Sequence, residues 1–272
     1  MSDVILPNEL NIRVVTPADV PISALHMQFL KDSTHTPGYW QYCSQRFFAI
    51  HDVMQSFNLT HVFHIETDVL VFWPLEQVLS TFIRNDVHIG LTLLNPRKII
   101  PGLVYIRDSA ASHMMAEHFL KHANTGENDM DVLGLMWQEH KHGDSMTSLP
   151  IVPIGYTSDD DSWSHKQDQY GFIFDGAALG QWLGGTDIIC RSPHLHGTPY
   201  VNFEASYSFE NAYITYDERR RPYVNGVPVF HVHSKDLARW KSSPASAEPS
   251  MAAVVGGMVA VSALTLAVTH IL

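Results

Sequence analysis

A chain of 272 residues has room for one large domain or two small ones, with a core of ordinary size. At 45% apolar and 17% charged residues it is neither disordered nor fibrous, and 17 Lys plus Arg against 28 Asp plus Glu, a formal charge of −11, argue against a nucleic-acid partner. Two cysteines, Cys43 and Cys190, exclude a disulfide framework and a cysteine zinc site and read as free thiols, whereas 17 histidines are the anomaly of the composition.

In chain order, Met1-Ser-Asp-Val-Ile-Leu-Pro7 has neither a basic n-region nor a long apolar run, so no signal peptide is expected. Asn11 to Val15 reads as a strand. Tyr39 to Phe57 reads as a helix, with Phe47, Ile50, Met54 and Phe57 on one stripe. Asn58-Leu-Thr60 is a turn, and also a glycosylation sequon. His61 to Ile65 is nearly continuously apolar, as a strand covered on both faces would be. Helices are predicted over Leu75 to Arg84, Ser109 to His122 and Asp129 to Glu139, and strands over His88 to Leu93 and Leu103 to Arg107. This alternation predicts an α/β sheet with crossover helices. From Tyr200 to Val232 short alternating runs take over, such as Ala212 to Tyr216, and Arg219 to Tyr223 reads as a hairpin bend. The C-terminal part is therefore expected to be richer in antiparallel strand.

The organisation expected is one domain over residues 1–240, a polar linker over 241–250 and a transmembrane helix over 251–272. Met251 to Leu272 contains no Asp, Glu, Lys or Arg. At helical rise it would reach roughly 33 Å, enough to cross a hydrocarbon core. A buried core helix and a GPI-attachment signal are the alternatives. The expected location is a membrane, through a single C-terminal anchor, with the endomembrane system first in line.

The segment richest in chemistry is His61-Val-Phe-His-Ile-Glu-Thr-Asp-Val-Leu-Val-Phe72. Here a strand ends in two carboxylates at i and i+2, and a second apolar run follows. Ligands of open α/β sheets bind at the carboxyl ends of strands, where Glu66 and Asp68 fall. Two carboxylates there suit a hard divalent cation that keeps its other positions for water and phosphate oxygens. A solvated turn at a strand end is the plainer alternative.

Taken with Arg46-Phe-Phe-Ala-Ile50 on the preceding helix, this segment resembles the GT-A glycosyltransferases, in particular the glycogenin and lipopolysaccharide-galactosyltransferase type. Those enzymes carry an Arg on a helix before a strand ending in Asp-x-Asp. Pro101 to Asp108 is similar to their strand beside the donor sugar. Phe174 to Asp187 resembles an acceptor-side loop and helix, and Phe230-His-Val-His-Ser-Lys235 resembles their late His-and-Lys element. The resemblance spans about residues 40 to 240 and implies a GT-A, Rossmann-like mixed sheet. It also implies transfer of a sugar, hexosyltransferase fashion, from a nucleotide-diphosphate sugar to a hydroxyl. The expected partners are a nucleotide sugar, UDP-sugar first, and a glycan, lipid or protein acceptor; the expected cofactor is Mn2+ or Mg2+.

By the same resemblance Asp68, Glu66 and His233 would hold the metal, Glu66 standing where the family carries Asp. Arg46, Glu66, Asp68, Gln181 and Lys235 would face the donor, and Lys235 would neutralise the leaving diphosphate as a point charge. His231 shares a strand face with His233, and spacing does not separate the two. Asp175 is expected at the acceptor or reacting centre, with a helix N-cap as the alternative. Asn128-Asp-Met-Asp131 reads as a helix cap, and His194 and His196 as loop residues near the cleft. With 65 residues before Glu66, the nucleotide-binding unit that opens this fold is expected to be shortened. That expectation keeps a second function in view, a non-catalytic membrane-anchored domain that binds glycan or protein. A two-metal phosphoesterase is a third, although it would need more grouped carboxylates than the sequence supplies.

Overall fold

The computed structural model describes residues 13–16, 18–33, 38–143, 145–151, 167–177, 179–180, 214–234 and 266–268. In chain order the elements are β1 (Arg13–Val15), α1 (Ala24–Asp32), α2 (Gly38–Phe57), β2 (Val62–Ile65), β3 (Val69–Val71) and α3 (Glu76–Arg84). There follow β4 (Ile89–Asn95), β5 (Lys98–Ile106), α4 (Ser109–Lys121), α5 (Asp129–His140), β6 (Met146–Ser148) and α6 (Gln167–Tyr170). The last are β7 (Ile173–Phe174), β8 (Ile214–Tyr216), β9 (Pro222–Val224), β10 (Val227–His233) and β11 (Leu266–Val268). Parallel and antiparallel pairings occur together, so the fold is mixed α/β. One sheet has the order β2-β5-β4-β6; in another, β3-β10-β9-β8 form the path and β7 also pairs with β10.

The chain divides into two compact units: residues 1–64, 105–129 and 257–272 form one, and residues 65–104 and 130–256 the other. In the first, α2 buries Phe47, Ile50 and Met54 from the apolar stripe, and Phe47 stacks on Phe119 of α4 at 4.6 Å between ring centroids. The helix ends at Asn58, whose positive φ lets Leu59 N–H donate to Met54 and Asn58 N–H to Gln55. That is a Schellman closure with Asn in the usual glycine place. α1 has no counterpart among the predicted elements, because its few apolar residues make no clear period. A buried hydrogen bond holds it instead: His26 Nδ1 lies 2.6 Å from Asp52 Oδ2 of α2, and Phe29 stacks on Phe48.

In the second unit, β4 and β5 are joined by Pro96-Arg97 alone, where the sequence pattern suggested crossover helices throughout. β5 is buried over nearly its whole length. Gly134 of α5 lies so close to the same turn that a Cβ there would meet the Arg97 carbonyl oxygen at 1.7 Å. β4 runs parallel to β6. The expected antiparallel C-terminal part is present: β8 pairs with β9 and β9 with β10, each antiparallel. The bend expected at Arg219 to Tyr223 falls between β8 and β9, and Asn225-Gly226, both at positive φ, turn β9 into β10.

Leu266–Val268 is extended and pairs antiparallel with β1, in the register Arg13↔Val268 and Val15↔Leu266. These three residues therefore depart from the continuous helix expected over 251–272. The rest of that stretch and the linker 241–250 lie outside the described residues. Among the described residues, no helix is long and apolar enough to cross a membrane. Cys43 forms no disulfide among the described residues, and Cys190 lies outside them.

Candidate metal centre

β2 is apolar and stops at Ile65. The Glu66 N–H then donates to the Gly102 carbonyl of β5 at 2.9 Å, and a tight turn, closed by Val69 N–H on the Glu66 carbonyl at 3.2 Å, leads into β3. Glu66 and Asp68 thus flank one turn between two short strands. β3 pairs antiparallel with β10 in the register Val69↔His233, Leu70↔Val232 and Val71↔His231. One step further, the Ser234 N–H donates to the Asp68 carbonyl at 2.9 Å. This register sets His233 beside the turn.

Its Nε2 lies 3.1 Å from Asp68 Oδ2 and 3.7 Å from Glu66 Oε2. One ligand atom from each of the three residues falls within 4.8 Å of the others. The imidazole is nearly covered, whereas the two carboxylates keep about a fifth of their surface open. Two hard oxygens and one borderline nitrogen, open on the oxygen side, form a donor set that could hold a divalent metal ion.

The structure separates the two histidines of β10. His231 is completely buried against the rings of Phe174 and Phe230, and neither of its ring nitrogens has a hydrogen-bond partner among the described residues. Burial, with a smaller contribution from His233, pushes its pKa down from 6.5 to about 3. A side chain held neutral in an apolar setting is a core histidine, and only His233 joins the carboxylates.

Asp175 stands behind the cluster rather than in its open part. It is buried, and its carboxylate accepts the N–H groups of Leu179 at 2.9 Å, Gly180 at 2.8 Å and His233 at 2.9 Å. The first two come from residues four and five positions on, beyond the i+2 and i+3 donors of an N-cap, and the third ties the carboxylate to the His233 backbone. Burial is the largest influence and pushes the Asp175 pKa up from 3.8 to about 6, while the three N–H groups and His233 oppose it. Gly180 is required for this closeness, since a Cβ would meet the His233 carbonyl oxygen at 2.2 Å and Asp175 Oδ2 at 2.9 Å. Gly102 is less crowded: a Cβ there would meet Val69 Cγ2 at 3.1 Å and the His233 ring at 3.3 Å.

Arg46 ion-pairs with Asp129, the first residue of α5. Asp129 therefore has a partner beyond the capping role read for Asn128 to Asp131. Gln181, Lys235, His194 and His196 lie outside the described residues. The sequence reading missed Gly102 and Ser234. Gly102 carried a signal, a glycine inside an apolar strand, which marks close approach of a neighbour. No family model, curated protein or solved structure matches the chain.

Proposed function

We propose that the protein is a metal-dependent glycosyltransferase of the GT-A type, moving a sugar from a nucleotide-diphosphate sugar, a UDP-sugar first, to a hydroxyl of a glycan, lipid or protein. The observation that carries this reading is the convergence of Glu66, Asp68 and His233, from two strand ends, on a volume that one divalent ion would fill. The motif order along the chain supports it.

In this reading Glu66 and Asp68 bind Mn2+ or Mg2+ through carboxylate oxygens and His233 through Nε2. The ion, when bound, supplies Lewis-acid stabilisation of the leaving diphosphate. The chain's own residues do the positioning. Asp175 fixes the His233 backbone, and the β3–β10 register holds Asp68 across from it. Pre-organisation of this kind removes the cost of arranging charges as the sugar–oxygen bond breaks. The roles given to Gln181 and Lys235 rest on their places in the sequence.

Calorimetry with UDP tests the centre. Binding should require Mn2+ or Mg2+ and disappear in Asp68→Ala, and equal binding in EDTA would overturn the metal role. A screen of nucleotide sugars for released nucleoside diphosphate tests the chemistry. Glycan binding with no turnover on any donor would favour the non-catalytic, glycan-binding alternative. The proposal also places the protein on an endomembrane through residues 251–272, supported by the lack of any charged residue there. Carbonate extraction of the full chain against a chain ending at Ser250 decides this point. The full chain should stay with the membrane, and its release would favour packing of the Leu266–Val268 strand on β1 instead.

A further inference from the structure

α4 places His118 and His122 four residues apart, so both side chains leave one face of the helix, a turn from each other. Their ring centroids are 4.8 Å apart at an interplanar angle of 36°, and one nitrogen of each lies within 4.8 Å of the other. An ion bound by both at about 2.0–2.1 Å needs its two nitrogens about 3.4 Å apart. A modest rotation of the rings closes that gap.

Three features around the pair favour a cation. His122 Nδ1 lies 3.3 Å from Glu127 Oε2, and Thr125 Oγ1 donates to that same oxygen at 2.9 Å, so the carboxylate is itself held in place. Both ring nitrogens of His122 are buried and neither makes a hydrogen bond among the described residues, so Nε2 is open to a metal. The nearby carboxylate can then accept the Nδ1 proton in a hydrogen bond as the ring turns to bind, the arrangement that orients a metal-ligating imidazole. The pair also closes the C-terminal end of α4, where the unpaired carbonyls make the helix negative and attract positive charge. His118 is itself buried.

We infer that His118 and His122 form a second metal site, for a borderline divalent ion of the Zn2+ class, with Glu127 as the positioning carboxylate. Two imidazoles at i and i+4 are a nitrogen donor set for Zn2+, Ni2+ or Cu2+, unlike the oxygen-rich set of Glu66, Asp68 and His233. The two sites are therefore separable by the metal they take. This one stands whether or not the glycosyltransferase reading does.

The test uses the full chain stripped of metal, titrated with metal at about pH 7.5. Zn2+ binding is followed by calorimetry and Co2+ binding by its ligand-field absorption. Wild-type protein should bind Zn2+ at a site that survives in Asp68→Ala. The double variant His118→Gln/His122→Gln should lose that site, with affinity falling at least a hundredfold. Glu127→Gln should keep the stoichiometry and weaken binding about tenfold or more. Glu127 is more than a third exposed, so its variant should fold even if the double variant does not. No Zn2+ binding by the wild type, wild-type affinity in Glu127→Gln, or complete loss in Asp68→Ala would each overturn the site.

Discussion

Asp175 illustrates how one residue type can carry opposite roles at a candidate site. Its carboxylate is sealed from solvent and accepts three backbone N–H groups, two local and one from His233, so it ties the 179–180 segment to β10. Asp175→Ala leaves those three buried donors without an acceptor. Each such orphan costs on the order of 1–3 kcal/mol, and the sum should exceed about 3 kcal/mol in urea denaturation. Gly180→Ala attacks the same arrangement sterically, because its Cβ falls 2.2 Å from the His233 carbonyl oxygen. That variant should lose Mn2+ affinity through displacement of His233, although no ligand is removed. Unchanged Mn2+ affinity in a folded Gly180→Ala protein would separate the glycine from the metal centre.

At the scale of elements, two turns invite substitution. Asn225-Gly226 joins β9 to β10 with φ of 50° and 82°, the left-handed pair that a two-residue hairpin of this hand requires. Nothing crowds Gly226, so Gly226→Ala isolates the backbone strain, which should cost about 1–2 kcal/mol without moving neighbours. A fall in urea midpoint at constant slope is the expected readout. Gly134→Ala tests packing instead. Its Cβ would strike the Arg97 carbonyl oxygen, so α5 must shift from the β4–β5 turn, at a cost of about 1–3 kcal/mol. The Asn225-Gly226 pair is a turn signal legible in two letters, although the sequence reading placed a bend only at Arg219 to Tyr223. The contact of Gly134 with the β4–β5 turn at Arg97 was not legible, because it joins residues far apart in the chain.

For the whole molecule, two buried titratable groups pull stability in opposite directions with pH. The folded pKa of His231 is lowered from 6.5 to about 3, so its contribution is present above 6.5 and drains away as pH falls towards about 3. The folded pKa of Asp175 is raised from 3.8 to about 6, so its contribution is present below 3.8 and is lost as pH rises through about 6. Replacing the histidine by an apolar ring removes only the first effect. His231→Phe, stripped of metal, should therefore gain on the wild type as pH falls from about 7, reaching about 2 kcal/mol near about pH 5. Urea midpoints measured across that range check it, and a pH-independent difference would mean that His231 is not held neutral.

What the sequence determined by itself is local. Helices α2 to α5 and strands β2 and β4 sit close to where the apolar periods put them, because a helix or strand records its buried face in its own spacing, whereas β5 begins at Lys98, five residues before the predicted Leu103. The Glu66-Thr-Asp68 turn was readable for the same reason, as two carboxylates between apolar runs. Long-range pairing lay beyond that reach. His231 and His233 share a strand face and a residue type, and only the antiparallel register of β3 on β10 brings one to Asp68 while the other is enclosed by Phe174 and Phe230. Asp175 likewise had the same sequence neighbours whether it faced a reacting centre or a backbone cradle. β10 adds the third donor, the His233 N–H, to the local N–H groups of Leu179 and Gly180, and that long-range bond is not written in Asp175's own sequence neighbours.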